Sequence, residues 1–427
     1  QTIGRAKPLF AAPDLGTGGP TFGWRQLLLL LLVAVVLSVL SGMGGYGVQE
    51  GDYFKHNAVL KSLIEQPWPV MLSTDAGRFP LVYYTAWYLP AALLGKVAGW
   101  TAANHFLFVW GTVGLVLSML WFCLLARRLN WLVIGVFAAF SGLDVVGAAI
   151  LNLLAFDWTA FDWTRIDWGS LRWWNSEIRW WAGPCTWSYS SHMAQLFWVP
   201  QQALGGWIAT GMVMHMFGRN DDTARRPLVF GAALSSLWSP LVTIGLAPLL
   251  AADFLWDGRP MARRVRAWLT VPNLCGAGLL GLMGLYYLAR TAPLPFTDDP
   301  RARFRFFSTP DWSGLVFLWR VLLFYALEAG LLGLLVWMVR PPATRRCRGL
   351  LVLALVFLLV LPLFRYGLNN DLAMRASMPC LMVLAVFLAK ALLAGPAART
   401  RRLILVGVLA IAATNPVVEV YRHLCEI

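Results

Sequence analysis

The chain has 427 residues, of which 59% are hydrophobic and 13% charged, and its formal charge is +14. That much apolar surface exceeds what one water-exposed globule can bury, so an ordinary soluble protein is excluded and a polytopic membrane protein is expected. Nucleic-acid binding is excluded too, because no basic soluble domain is there to hold a duplex.

The first hydrophobic span runs from about Trp24 to Ser41, and its core, Leu27 to Leu40, is uncharged and follows Arg5, Lys7 and Arg25. It reads as a start-transfer helix with a cytoplasmic amino terminus rather than a cleaved signal, since no small-residue cleavage pattern precedes a soluble domain. The segment 43–79 follows as a first outer loop containing Gly51-Asp52-Tyr53-Phe54-Lys55-His56-Asn57. Over Tyr53 to Glu65 the spacing predicts an amphipathic interfacial helix. Val59, Leu60, Leu63 and Ile64 fall on one side, Lys55, Lys61, Ser62 and Glu65 on the other, and Pro67 and Pro69 stop it.

Further hydrophobic segments lie near 80–99, 103–126, 131–156, 195–217, 227–256, 267–290, 313–339, 349–366, 373–395 and 402–415. Two of them, 131–156 and 227–256, carry breakers, Ser141-Gly142 with Asp144 and Ser239-Pro240. Counting each as a pair of short helices gives thirteen spans, within a range of eleven to thirteen. That count puts 43–79, 157–194, 291–312, 367–372 and the carboxyl tail outside. The arginine clusters at 219–226, 259–266, 340–348 and 399–402 then face the cytoplasm, as positive charge prefers, while Arg127-Arg128 is a misfit outside. The expected fold is therefore an all-α polytopic bundle forming one membrane domain over 1–427, with amphipathic helices on its outer face.

The outer loop 157–194 repeats Asp-Trp at Asp157, Asp162 and Asp167, then adds Trp173, Trp174, Trp180, Trp181 and Trp187, a density suited to the headgroup interface. The spacing of these acids matches neither one helix face nor a calcium loop. Six cysteines without a CxxC pair suggest neither zinc nor a disulfide framework. No set has metal-ligand spacing; a divalent cation is compatible with the sequence and not required by it.

Asp52 has two readings that do not exclude one another. It is a natural N-cap for the helix after it. It is also a candidate general base at the membrane edge, with Lys55 and His56 beside it to meet a phosphate-linked substrate. In this layout the chain resembles the GT-C class of membrane glycosyltransferases: a first span, a long outer loop with Gly51-Asp52-Tyr53 and an amphipathic helix, then many spans with short breaks. The resemblance implies sugar transfer from a polyprenyl-phosphate or pyrophosphate carrier at the outer side of the membrane. By match of position it gives Asp52 the role of base or metal-site residue. The expected absence of a large soluble carboxyl-terminal domain departs from the oligosaccharyltransferase branch.

The strip from Arg365 to Pro379 holds Tyr366, Asn370, Asp371 and Arg375. An arginine entering an apolar run is costly unless it meets an anion or a polar cavity. Arg375 either pairs with Asp371 four residues back or, with Arg365, holds a donor phosphate in a forked contact. Glu177, Tyr189 and His192 either line a sugar pocket among tryptophans or belong to an aromatic belt with helix caps. Arg301, Arg303 and Arg305 are either balanced by Asp298 and Asp299 or meet an anionic headgroup.

These residues lead to an expected function: inverting transfer of a sugar from a lipid-linked donor to a cell-envelope glycan, lipid or protein acceptor, at the outer face of the bacterial inner membrane. Asp52 would be the base, and the substrate-binding set would be Lys55, His56, Arg365, Tyr366, Asn370, Arg375, Glu177, Tyr189 and His192. The rival readings are a transporter or flippase for lipid-linked sugar, and a non-catalytic subunit of polysaccharide assembly.

Overall fold

The structure, a computed structural model, describes residues 22–74, 77–155, 187–219, 222–288, 304–306, 314–341, 343–367, 369–394 and 399–425. Among them the chain is helical almost throughout. Two antiparallel ribbons interrupt the helices, Met71–Thr74 with Gly77–Pro80 and Arg305–Phe306 with Phe364–Arg365.

Among the described residues, seven helices are long and apolar enough to cross a membrane: Leu89–Ala126, Trp131–Leu151, Val271–Leu288, Gly314–Val339, Arg345–Leu363, Asp371–Leu392 and Arg399–Cys425. Trp24–Leu40, Leu228–Leu237 and Pro240–Leu255 are shorter and also apolar. The fold is that of an integral membrane protein.

The breaks expected at 131–156 and 227–256 are present, but they do not make pairs of spans. The helix Trp131–Ala139 stops before Ser141 and resumes at Asp144–Ala155; at 9 and 12 residues, neither half covers a hydrocarbon layer of ~30 Å at ~1.5 Å per residue. Likewise Leu228–Leu234 has 7 residues before the break, and Pro240–Leu255 has 16 after it. The count of thirteen is corrected accordingly: these breaks interrupt helices without doubling them. The stretch Leu89–Ala126 is two helices joined across a kink at Gly99, whose φ of 82° and ψ of 179° suit a residue without a Cβ, and the break falls where the apolar runs 80–99 and 103–126 are predicted to part.

Met378–Leu392 is the central helix. All of its residues are buried except Lys390, because helices pack on every side of it, Pro200–Arg219, Pro240–Leu255, Arg345–Val360 and Leu331–Val339 among them. By contrast Val271–Leu288 turns Leu274, Leu282, Leu285 and Leu288 outward, which a bilayer accommodates and water does not.

The amphipathic helix forms at Asp52–Glu65 and buries Tyr53, His56, Val59, Leu60 and Leu63, mainly against Leu89–Ala126. Tyr53 fixes its start by donating from Oη to the Ser41 carbonyl at the end of the first helix, 2.6 Å away. Pro240–Leu255 begins with Ser239 as its N-cap and a proline at the first turn. One turn on, Gly245 lies so close to the Ala376 carbonyl that a Cβ would collide with it. That contact lets the short helix Asp371–Ala376 seat directly on the start of Pro240–Leu255.

Candidate functional site

These helix starts enclose a cavity of about 570 Å³. Lys55 contributes from the amphipathic helix; Tyr83 and Tyr84 from the segment before Leu89; Gln202 from the start of Pro200–Arg219. Ser239, Pro240, Leu241 and Ile244 come from the break and the turn after it, and Tyr287 from the end of Val271–Leu288. Phe304, Tyr366, Asp371, Leu372 and Arg375 close it. Each helix begins or ends here, so polar side chains at helix ends share one space.

The tyrosine wall is held in place. Tyr286 Oη receives the Tyr83 backbone N–H at 3.1 Å, and its own hydroxyl is 2.9 Å from the Tyr83 carbonyl. Gln202 Nε2 donates to Tyr84 Oη at 2.7 Å, and Ser239 Oγ lies 3.4 Å from Gln202 Oε1. The rings of Tyr83 and Tyr84 are 3.8 Å apart between centroids.

Arg375 is 7% exposed and reaches the cavity from Asp371–Ala376. Pairing with Asp371, one of the two readings of their spacing, is absent. Among the described residues the Arg375 guanidinium forms no hydrogen bond or ion pair, although its charge acts on Asp52 and His56. The turn before the helix explains this. Asn370 stands in the left-handed region at φ 53° and Gly367 at φ 85°, and the Asp371 carboxylate packs so closely on Gly367 that a Cβ there would strike it. Asp371 is thereby held at the first residue of its helix, away from the one-turn partner.

Asp52 is not the cap that its position suggests. It is the first helical residue, preceded by Gly51, and its carboxylate accepts from Lys55 Nζ at 3.2 Å and from no backbone amide among the described residues. Its side chain is 35% exposed, beside the cavity that Lys55 lines. Partial burial raises its pKa, but Lys55, Arg375 and His56 together outweigh that and hold the carboxyl below the usual 3.8. Asp52 is ionised at neutral pH.

His56 points the other way, into the buried face of its helix. Its Nε2–H donates to the Trp198 carbonyl at 3.1 Å, so in the neutral ring Nδ1 accepts from Tyr88 Oη at 2.7 Å. Burial, aided by Lys55, pulls its pKa down to about 4. It anchors the helix that carries Lys55 and Asp52, and it does not line the cavity.

Of the other expected residues that are described, Tyr366 lines the cavity, while Arg365, Asn370, Tyr189 and His192 do not. Arg365 is buried behind it, in the two-residue strand opposite Arg305. Asn370 is fully buried and works on the backbone: its Oδ1 accepts from the Tyr366 N–H at 3.3 Å. Tyr189 donates to the Leu358 carbonyl at 2.5 Å, and His192 donates from Nδ1 to the Phe137 carbonyl at 2.8 Å among Phe137, Phe140 and Trp207. Both lie in the bundle interior, as packing rather than as a sugar pocket. Glu177, Asp157, Asp162, Asp167, Arg301 and Arg303 lie outside the described residues.

The sequence reading missed Tyr83, Tyr84, Gln202 and Tyr287. Gln201-Gln202 beside Pro200 in an otherwise apolar helix was the available signal. It also missed a group that could hold a metal: the donor atoms of Glu50, Glu419 and His423 lie within 4.8 Å of one another.

Comparison of the chain with family models, with curated proteins and with solved structures gave no match. Fold and site therefore define a class and no more: an all-α integral membrane protein with a largely apolar cavity, among helix ends, into which Lys55, Gln202, Ser239, Asp371 and Arg375 bring polar groups.

Proposed function

We propose that this cavity takes the phosphate and sugar of a polyprenyl-linked donor, and that the protein moves the sugar with inversion onto an acceptor hydroxyl. The observation that carries the reading is Arg375: a buried guanidinium that makes no hydrogen bond or close ion pair among the described residues, in the same cavity as Lys55, with its charge felt by Asp52. A guanidinium so placed is retained at a cost, and a phosphate offsets it by a forked, charge-assisted contact.

In the proposed reaction the acceptor oxygen forms a bond to the anomeric carbon as the bond to the phosphate oxygen breaks. The departing phosphate takes the electron pair and is stabilised by Arg375 and Lys55, and Asp52 takes the acceptor proton. The Asp52–Lys55 pair couples these events. As Lys55 turns toward the developing phosphate charge, the carboxylate loses its nearest cation and gains proton affinity when it needs it. Tyr84, Tyr287 and Tyr366 supply aromatic faces for a pyranose ring. The reading places the cavity at the outer face of a bacterial inner membrane, with an envelope glycan, lipid or protein as acceptor.

Transfer assays with polyprenyl-phosphate sugars and purified protein test it. Asp52→Asn should lose ~100-fold or more of the rate, as expected of a missing general base, while remaining folded. A rate within about threefold of wild type removes Asp52 from the role, and absence of transfer with every lipid-linked sugar overturns the enzyme reading. One observation then favours a carrier: Asp144 and Glu328 are buried within apolar helices, with Asn415 donating to Asp144.

A further inference from the structure

The last helix, Thr414–Cys425, is patterned inside out. Asn415, Glu419 and His423 form its buried face, whereas Val417, Tyr421 and Leu424 are exposed. Ionisable side chains turned inward in a membrane helix are expensive unless something compensates them. Glu419 and His423, one turn apart, meet Glu50, which lies just before the amphipathic helix.

His423 is 1% exposed, and its Nδ1–H donates to the Glu419 carbonyl at 2.9 Å. That bond fixes the tautomer and leaves Nε2 as a bare lone pair, in the way that metal-ligating histidines are commonly oriented. Nε2 is buried with no hydrogen-bond partner, and it stands 3.8 Å from Glu50 Oε1. The separation is too long for a hydrogen bond. It suits two ligands of one cation, which at ~2.1 Å each sit roughly 3 to 4 Å apart. Arg422 reaches Glu50 Oε1 at 3.1 Å and Glu419 Oε2 at 3.4 Å, and Trp198 Nε1 donates to Glu419 Oε1 at 2.6 Å. Two carboxylates thus share one guanidinium, and the group keeps a surplus negative charge beside an idle imidazole nitrogen.

We propose that Glu50, Glu419 and His423 bind one divalent transition-metal cation, and that it ties the last helix to the start of the amphipathic helix. One imidazole with two carboxylates favours a Zn²⁺- or Mn²⁺-like ion over calcium or magnesium. Trp198 joins this site to the one above, since its carbonyl accepts from His56 while its indole holds Glu419. The proposal does not rest on glycosyl transfer.

Metal analysis of the protein, purified without a polyhistidine tag and dialysed after exposure to Zn²⁺ or Mn²⁺, tests it. The expected content is about one ion per chain in the wild type, falling at least fivefold in His423→Ala and in Glu50→Gln. A chelator should lower the wild-type Tm, Zn²⁺ or Mn²⁺ should restore it, and Glu50→Gln should show neither response. Glu50 is only partly buried, so its variant decides the matter if His423→Ala does not fold. No retained metal in the wild type, or equal content in Glu50→Gln, overturns the proposal.

Discussion

Two buried arginines stand near opposite ends of Pro240–Leu255, and they are held in opposite ways. At the far end Arg225 lies 3.0 Å from Asp253 and 3.9 Å from Asp257, and Arg346 closes on the other oxygen of Asp253. Near the start, Arg375 is almost as buried and has no such partner among the described residues, though Asp371 lies one turn away in its own helix. The first arrangement satisfies its charges internally, which is what a structural ion pair needs. The second leaves a guanidinium facing a cavity, so its charge is available to something that enters. Burial of an arginine by itself therefore says little; the disposition of nearby acids separates a brace from a binding group.

The largest effect should come from stripping the brace. Asp253→Ala leaves Arg225 and Arg346 without their shared carboxylate, and removing one member of a buried pair costs about 3 to 5 kcal/mol. Thermal unfolding in detergent, or loss of a monodisperse elution peak, reads it. The same operation at the other end should behave differently. Arg375→Ala removes no internal partner, so the Tm should hold, while transfer from a lipid-linked donor should lose roughly 2 to 4 kcal/mol of transition-state stabilisation. Arg375→Lys should also be impaired, because an ammonium cannot make the forked contact. If Arg375→Ala unfolds as Asp253→Ala does, the distinction between the two arginines fails.

Much of this contrast was hidden in the sequence, for a physical reason. Local features were legible: Pro67 and Pro69 mark the end of the amphipathic helix, and Ser141-Gly142 and Ser239-Pro240 mark real breaks. A breaker shows where a helix stops and not whether the chain then crosses again, so the span count went astray. Asp371 and Arg375 have the spacing of a helical ion pair, yet the turn built by Gly367 and Asn370 decides where the carboxylate goes. Adjacency in the sequence put Lys55 and His56 together beside Asp52, but the helix sends them to opposite sides, one to the cavity and the other to Trp198. Tyr84, Gln202 and Ser239 meet only through tertiary packing, and no spacing in one chain announces that. The same holds for Glu50 and His423.

Acid should expose the difference between Lys55 and His56. His56 titrates at about 4 in the folded protein against 6.5 when free, so the unfolded chain takes up its proton first as pH falls. Its contribution to stability is complete above pH 6.5, declines from there to about 4, and is level below. Unfolding free energy should fall across that window by on the order of 1 to 3 kcal/mol, read as a falling Tm, and the slope should flatten in His56→Gln. Asp52 adds its own loss only below its unfolded value of 3.8, because its carboxyl is depressed in the fold. The transfer rate should accordingly show no acid limb from Asp52 between pH 7 and 5.

The smallest effect belongs to an ion pair of a third kind. Lys61 and Glu65 are 3.8 Å apart on the exposed side of the amphipathic helix, and Lys61→Ala should change the Tm by no more than ~0.5 kcal/mol of stability equivalent. A larger loss would mean that this face is covered in the membrane.

The most direct test of the central claim is the affinity of the purified protein, in lipid nanodiscs, for a short-chain polyprenyl phosphate. The account predicts that Arg375→Ala raises Kd about tenfold or more at unchanged Tm, the equivalent of losing ~1.4 kcal/mol from one charge-assisted contact. An unchanged Kd in a folded Arg375→Ala protein would contradict it.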